Sequence, residues 1–89
     1  MHYLVIEKFK DASAIYKRFE EKGRMMPEGL NYVSSWIDHH LKTCWQIMET
    51  DDFVLLERWI DNWKDLIEFE IVPVHTSAEV REMMARKNG

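Results

Sequence analysis

The chain has 89 residues and a formal net charge of −4, from 12 basic and 16 acidic side chains. That length suits one domain spanning 1–89, and Lys and Arg scattered among acids disfavour nucleic-acid binding. Hydrophobic residues make up 46% of the chain, a heavy apolar load for so small a domain, yet no run approaches the roughly 20 apolar residues of a membrane span.

The opening MHYLVIEKFK lacks the apolar core and cleavage pattern of a signal peptide. A soluble cytoplasmic protein, without membrane attachment, is expected. His2 to Phe9 reads as the first strand, with Tyr3, Val5 and Phe9 on one side and Leu4 and Ile6 on the other. Apolar residues on both sides predict a central strand covered on both faces.

Asp11 is placed to cap a helix. Ala12, Ile15, Tyr16 and Phe19 recur at helical spacing, with Lys17, Arg18, Glu20 and Glu21 facing out. Gly23 suits the left-handed residue past the helix end. Arg24 to Gly29 is a connector, in which Pro27 fixes φ and Gly29 permits positive φ.

The second strand is expected over about 30–38, with Tyr32, Ser34 and Trp36 alternating with Val33, Ser35 and Ile37. A hairpin connection at 39–42 lacks the Asn-Gly signal of a tight turn. The third strand, about 43–50, alternates Trp45, Ile47 and Glu49 with Cys44, Gln46 and Met48. Cys44 is the one cysteine, so no intrachain disulfide is possible. In an apolar strand it reads as a buried, inert thiol in a reducing compartment, against the alternative of a nucleophile.

Thr50 or Asp51 is expected to cap the second helix. Leu56, Trp59, Ile60 and Trp63 form its stripe, and Asp65-Leu66 its end. The fourth strand, about 67–75, contains Pro73, which cannot donate to a ladder, so an edge strand, or a strand end at Pro73, is predicted. Thr76-Ser77-Ala78-Glu79 is a capping box. Val80, Met83 and Met84 give a last short helix a narrow apolar stripe, and 86–89 reads as a frayed tail.

The order β-α-β-β-α-β, closed by a C-terminal helix, is the split βαβ of an α+β, ferredoxin-like domain. Two helices would cover one face of a four-stranded antiparallel sheet. A wet second face would require alternation of apolar with polar residues. The second and third strands are apolar on both sides, and a bare patch of that kind is rare on a monomer. A homodimer with the open sheet faces stacked is therefore expected.

The segments YLVIEKFK, RMMPEGL, Trp36, CWQIMETDD, LLERWIDNWKDLIEFEIVPV and TSAE resemble a family of small, mostly bacterial proteins known as a domain of unknown function. The resemblance covers nearly the whole chain. It implies membership of the dimeric α/β-barrel, ferredoxin-like superfamily, and it brings no catalytic residues. That superfamily includes cofactor-free monooxygenases, lactone isomerases and haem-binding enzymes, which is an analogy of fold alone.

Polar residues inside apolar strands mark where chemistry could reside, because burying them unpaired is costly. Glu7, Gln46, Glu49 and Glu70 stand out. Glu7 or Glu70 could be a general base and Gln46 an orienting group. They could instead satisfy one another, or pair with Arg24, at a dimer seam. Arg24 could clamp a ligand carboxylate, or lie idle past a helix end. Trp36, Trp45, Trp59 and Trp63 could line an aromatic pocket, or belong to core and interface.

His75 is the histidine best placed for acid–base work or haem ligation, against an exposed loop position. His39 and His40 are adjacent and lack metal-ligand spacing, so no metal site is read. No cofactor motif is present either: the phosphate loop and the nucleophile elbow are both missing. The leading expectation is a small dimer that is structural or binds a small molecule. The rival is a cofactor-free monooxygenase- or isomerase-like enzyme on an aromatic or enolisable substrate. A third class is an interaction module using a sheet edge or the last helix.

Overall fold

A computed structural model describes residues 1–88. The elements are β1 (His2–Phe9), α1 (Ala12–Lys22), β2 (Asn31–Ile37), β3 (Thr43–Glu49), α2 (Phe53–Asp61), β4 (Ile67–Val74) and α3 (Ser77–Asn88). The strands form one antiparallel sheet in the order β2-β3-β1-β4. That order and the two crossovers make the predicted α+β, ferredoxin-like sheet. β4 lies at an edge, which accommodates Pro73.

Register assigns the faces. Opposite Val5 lie Gln46 and Ile71, and opposite Glu7 lie Cys44 and Phe69. These residues share the helix-covered face with Tyr3, Phe9 and Met48. There Val5, Met48 and Leu56 are fully buried, together with Ile15, Leu30, Trp59, Trp63 and Ile67. Leu4, Ile6, Trp45 and Ile47 point the other way, where the described chain places no helix over the sheet. Among the described residues only one face of β1 is thus covered: Val5 is buried, while Leu4 and Ile6 are half-buried.

The alternation predicted for β2 is broken. Tyr32 pairs with Met48, but the next partner pair is Ser34 with Ile47. A bulge at Val33 takes up the extra residue and resets the alternation. Tyr32, Ser35 and Ile37 therefore share the helix-covered face, and Trp36 lies on the open one with Ser34.

The ends of the helices follow from local hydrogen bonds. Asp11 accepts from the Ala14 N–H, and the Gly23 N–H reaches the Phe19 carbonyl with Gly23 at φ 68°. α2 is capped by Asp52, whose side chain accepts from Val54 N–H, not by Thr50 or Asp51. Thr50 is 1% exposed and uses its hydroxyl, two residues before the cap, to accept from the Asp52 N–H. Regular α2 stops at Asp61, and a turn closed by Trp63 and Lys64 N–H to Ile60 O carries Trp63 into the core.

The capping box of α3 forms as predicted, with Thr76 N–H to Glu79 Oε1 and Glu79 N–H to Thr76 Oγ1. The expected tail is helical as far as Asn88, because the capped helix continues through Arg86 and Lys87. Gly89 lies outside the described residues. α3 leaves Val80, Met83 and Met84 exposed. The radius of gyration is 15.1 Å and the long axis 52 Å, against about 12 Å for the radius of a compact chain of this length.

Candidate functional site

A pocket of about 130 Å³ opens between α1 and the helix-covered face of the sheet. Its floor comes from β1, β3 and β2, which present Glu7, Cys44, Gln46 and Ser35 in neighbouring register positions. α1 supplies Ile15, Tyr16 and Phe19, the stripe that its spacing predicted. Trp59 and Trp63 close the far wall.

The connector is held against that wall. Both indole N–H groups, of Trp59 and Trp63, donate to the Arg24 carbonyl at 3.0 and 3.1 Å. The next residue, Met25, adopts φ 57°, a left-handed conformation uncommon outside glycine. The Arg24 side chain is exposed at the rim. Its guanidinium lies 4.1 Å from the centre of the Tyr32 ring and 5.3 Å from that of Phe19, within cation–π range.

Glu7 and Gln46 are 5% and 6% exposed. Glu7 Oε2 and Gln46 Nε2 are fully buried and have no hydrogen-bond partner among the described residues. Burial pushes the Glu7 carboxyl up to about 7, only partly offset by the Cys44 thiol and the Arg24 charge. Near neutral pH this carboxyl therefore exchanges a proton readily. Burial, reinforced by the Glu7 charge beside it, pushes Cys44 up to about 12. The thiol stays protonated, which fits the inert reading of Cys44 and not the nucleophile.

The remaining predicted residues lie elsewhere. Glu70 is exposed, because it pairs with Ile6 on the opposite face of the sheet. Its neighbours Phe69 and Ile71 gave the same sequence signal as those of Glu7, but the register turns it away. Glu49 also lies off the pocket, at the end of β3, and accepts from Asn31 Nδ2 at 2.7 Å. Trp36 stands 64% exposed on the open face.

His75 is exposed and lies 3.6 Å from Glu79 at the start of α3. His39 and His40 share a loop in which Asp38 accepts from the N–H groups of His40, Lys42 and Thr43. No group of three or more metal-ligating acids, histidines or cysteines forms among the described residues. None of their helices is long and apolar enough to cross a membrane.

Sequence reasoning found Glu7, Gln46 and Arg24 but missed Ser35 and Tyr16 as pocket residues. Ser35 is concealed by the Val33 bulge. Tyr16 and Phe19 look like core residues in a helical stripe, yet are 43% and 40% exposed. The signal available was a phenol in an otherwise hydrocarbon stripe.

A family model described as Domain of unknown function (DUF3303) matches residues 1–88. The chain belongs to this family. No curated protein and no solved structure matches it significantly.

Proposed function

We propose that this family member is a small cytoplasmic bacterial homodimer that binds a small molecule in the pocket under α1. One observation carries the binding reading: Glu7 Oε2 and Gln46 Nε2, both buried and unpartnered, line one and the same pocket. A buried polar atom without a partner costs about 1–3 kcal/mol, and a ligand that supplied both partners would recover that. Arg24 at the rim offers a cation to an acidic substituent.

Dimerisation is supported by the open face, where Leu4, Ile6, Trp36, Trp45 and Ile47 have no covering layer within the described chain, and Trp36 and Trp45 are 64% and 40% exposed. Stacking two such faces would bury them, as in a dimeric α/β barrel. The single, protonated thiol suits a reducing cytoplasm.

A second reading is favoured by the Glu7 carboxyl near 7. In an enzyme acting without cofactor, of monooxygenase or isomerase type, Glu7 would take a proton from carbon in an enolisable substrate. The Gln46 N–H would hold the oxygen on which charge develops.

Native mass spectrometry of protein purified from its own host tests the proposal. The expected spectrum is a dimer with a reproducible additional mass. A monomer at micromolar concentration would overturn the dimer, and a dimer with no added mass that takes up no small aromatic compound would overturn the pocket.

A further inference from the structure

The polar atoms of the pocket are few, and they differ in kind. Gln46 Nε2 donates a hydrogen bond, and Glu7 Oε2 accepts one when the carboxyl is ionised, above about pH 7. Val5 sits directly opposite Gln46 in the sheet, and Glu7 follows two residues later on the same face. The two side chains are thus diagonal neighbours, whose Cβ atoms in such pairs lie about 7–8 Å apart or less. They do not bond to each other. With Glu7 ionised, one compact group placed between them must therefore present an acceptor to Gln46 and a donor to Glu7.

The walls of the pocket set the shape of the part that docks there. A dry apolar cavity of about 150 Å³ holds benzene, so the roughly 130 Å³ here seats one six-membered ring, with one side open to solvent. Tyr16, Phe19, Trp59 and Trp63 are among its walls, and flat aromatic surfaces favour a flat guest. The Cys44 thiol offers only a weak donor and acceptor.

We infer that the ligand is a flat, single-ring cyclic amide, whose adjacent C=O and N–H dock on Gln46 Nε2 and Glu7 Oε2. This rests on the pocket reading above and narrows it. A simple aromatic hydrocarbon would leave both buried atoms unpaired. A pyridine-like ring, an acceptor without an N–H, would satisfy Gln46 alone. A carboxylate would meet Glu7 with like charge. The cyclic amide satisfies both atoms in one geometry.

The test is an NMR titration of the full chain at pH 8, where Glu7 is ionised, with 2-pyridone, pyridine and toluene, following the indole N–H signals of Trp59 and Trp63. 2-Pyridone is expected to bind at least tenfold more tightly than either other ring, the ratio that one well-placed hydrogen bond of about 1.4 kcal/mol provides. In Gln46→Leu the preference should fall, because only the Glu7 contact is left, while toluene still binds. In Glu7→Gln, whose amide oxygen still accepts, it should largely remain. If toluene or pyridine binds as well as 2-pyridone, the pocket is real and the cyclic-amide inference falls. If no ring perturbs either indole, only water occupies the site, and the inference and the pocket reading fall together.

Discussion

Met48 and Ile47 are consecutive residues of β3 with similar apolar bulk, yet they meet different surroundings. Met48 is fully buried under the helices, while Ile47 is half-buried on the open face. The same contrast separates Glu7 from Glu70, one enclosed and the other exposed. Strand periodicity gives adjacent residues opposite directions, but what lies in each direction is decided by helices distant in sequence. The covered face is therefore where side chains pack and burial raises pKa values, and the open face is where association can be stabilised.

The sharpest way to break this contrast is truncation on the two faces. Met48→Ala should cost about 2–5 kcal/mol through lost burial and a residual cavity, whereas Ile47→Ala in dilute, dissociated protein should cost under about 1 kcal/mol. Urea denaturation of both variants measures this, and equal costs would mean that the open face is covered after all.

Glu7 gives the next effect. Its carboxyl is held at about 7 against an ordinary 4.5, so the folded state keeps its proton more tightly than the unfolded state. Stability from this group is complete below pH 4.5 and is lost as pH rises through 7. The loss amounts to about 3 kcal/mol. Glu7→Gln should therefore stabilise the fold at pH 8 by up to about that amount and change little at pH 4. Denaturation midpoints that shift equally at both pH values would contradict the buried, protonatable carboxyl.

On the open face, Trp36→Lys should leave the unfolding free energy within about 0.5 kcal/mol but weaken self-association at least tenfold, about 1.4 kcal/mol. Sedimentation across a concentration series reads this directly, and an unchanged dimer would place the interface elsewhere. The smallest change is expected at α3. Thr76→Ala removes the acceptor of the Glu79 N–H, a cap worth about 1 kcal/mol. Helical circular dichroism should fall slightly, with the sheet core unaffected.

Much of this was legible in the chain because its signals are local. The strand and helix spans and the Thr76–Glu79 box arise from near neighbours. Glu7 and Gln46 stood out as polar residues in apolar strands, but so did Glu49 and Glu70, which the register turns off the pocket. The Val33 bulge moved Tyr32 to the other face, and it leaves no mark in a pattern that is apolar on both sides. Likewise, the anchoring of Arg24 O by Trp59 and Trp63 joins residues 35 and 39 positions apart.

The sequence by itself determined the order of elements, the restriction of Pro73 to an edge strand or a strand end and the excess of apolar surface, since these depend on periodicity, missing donors and composition. Only the tertiary structure decided which sheet face is bare and which polar residues share a pocket. Both depend on register and on where the helices pack, and these are properties of contacts between segments that no single segment encodes.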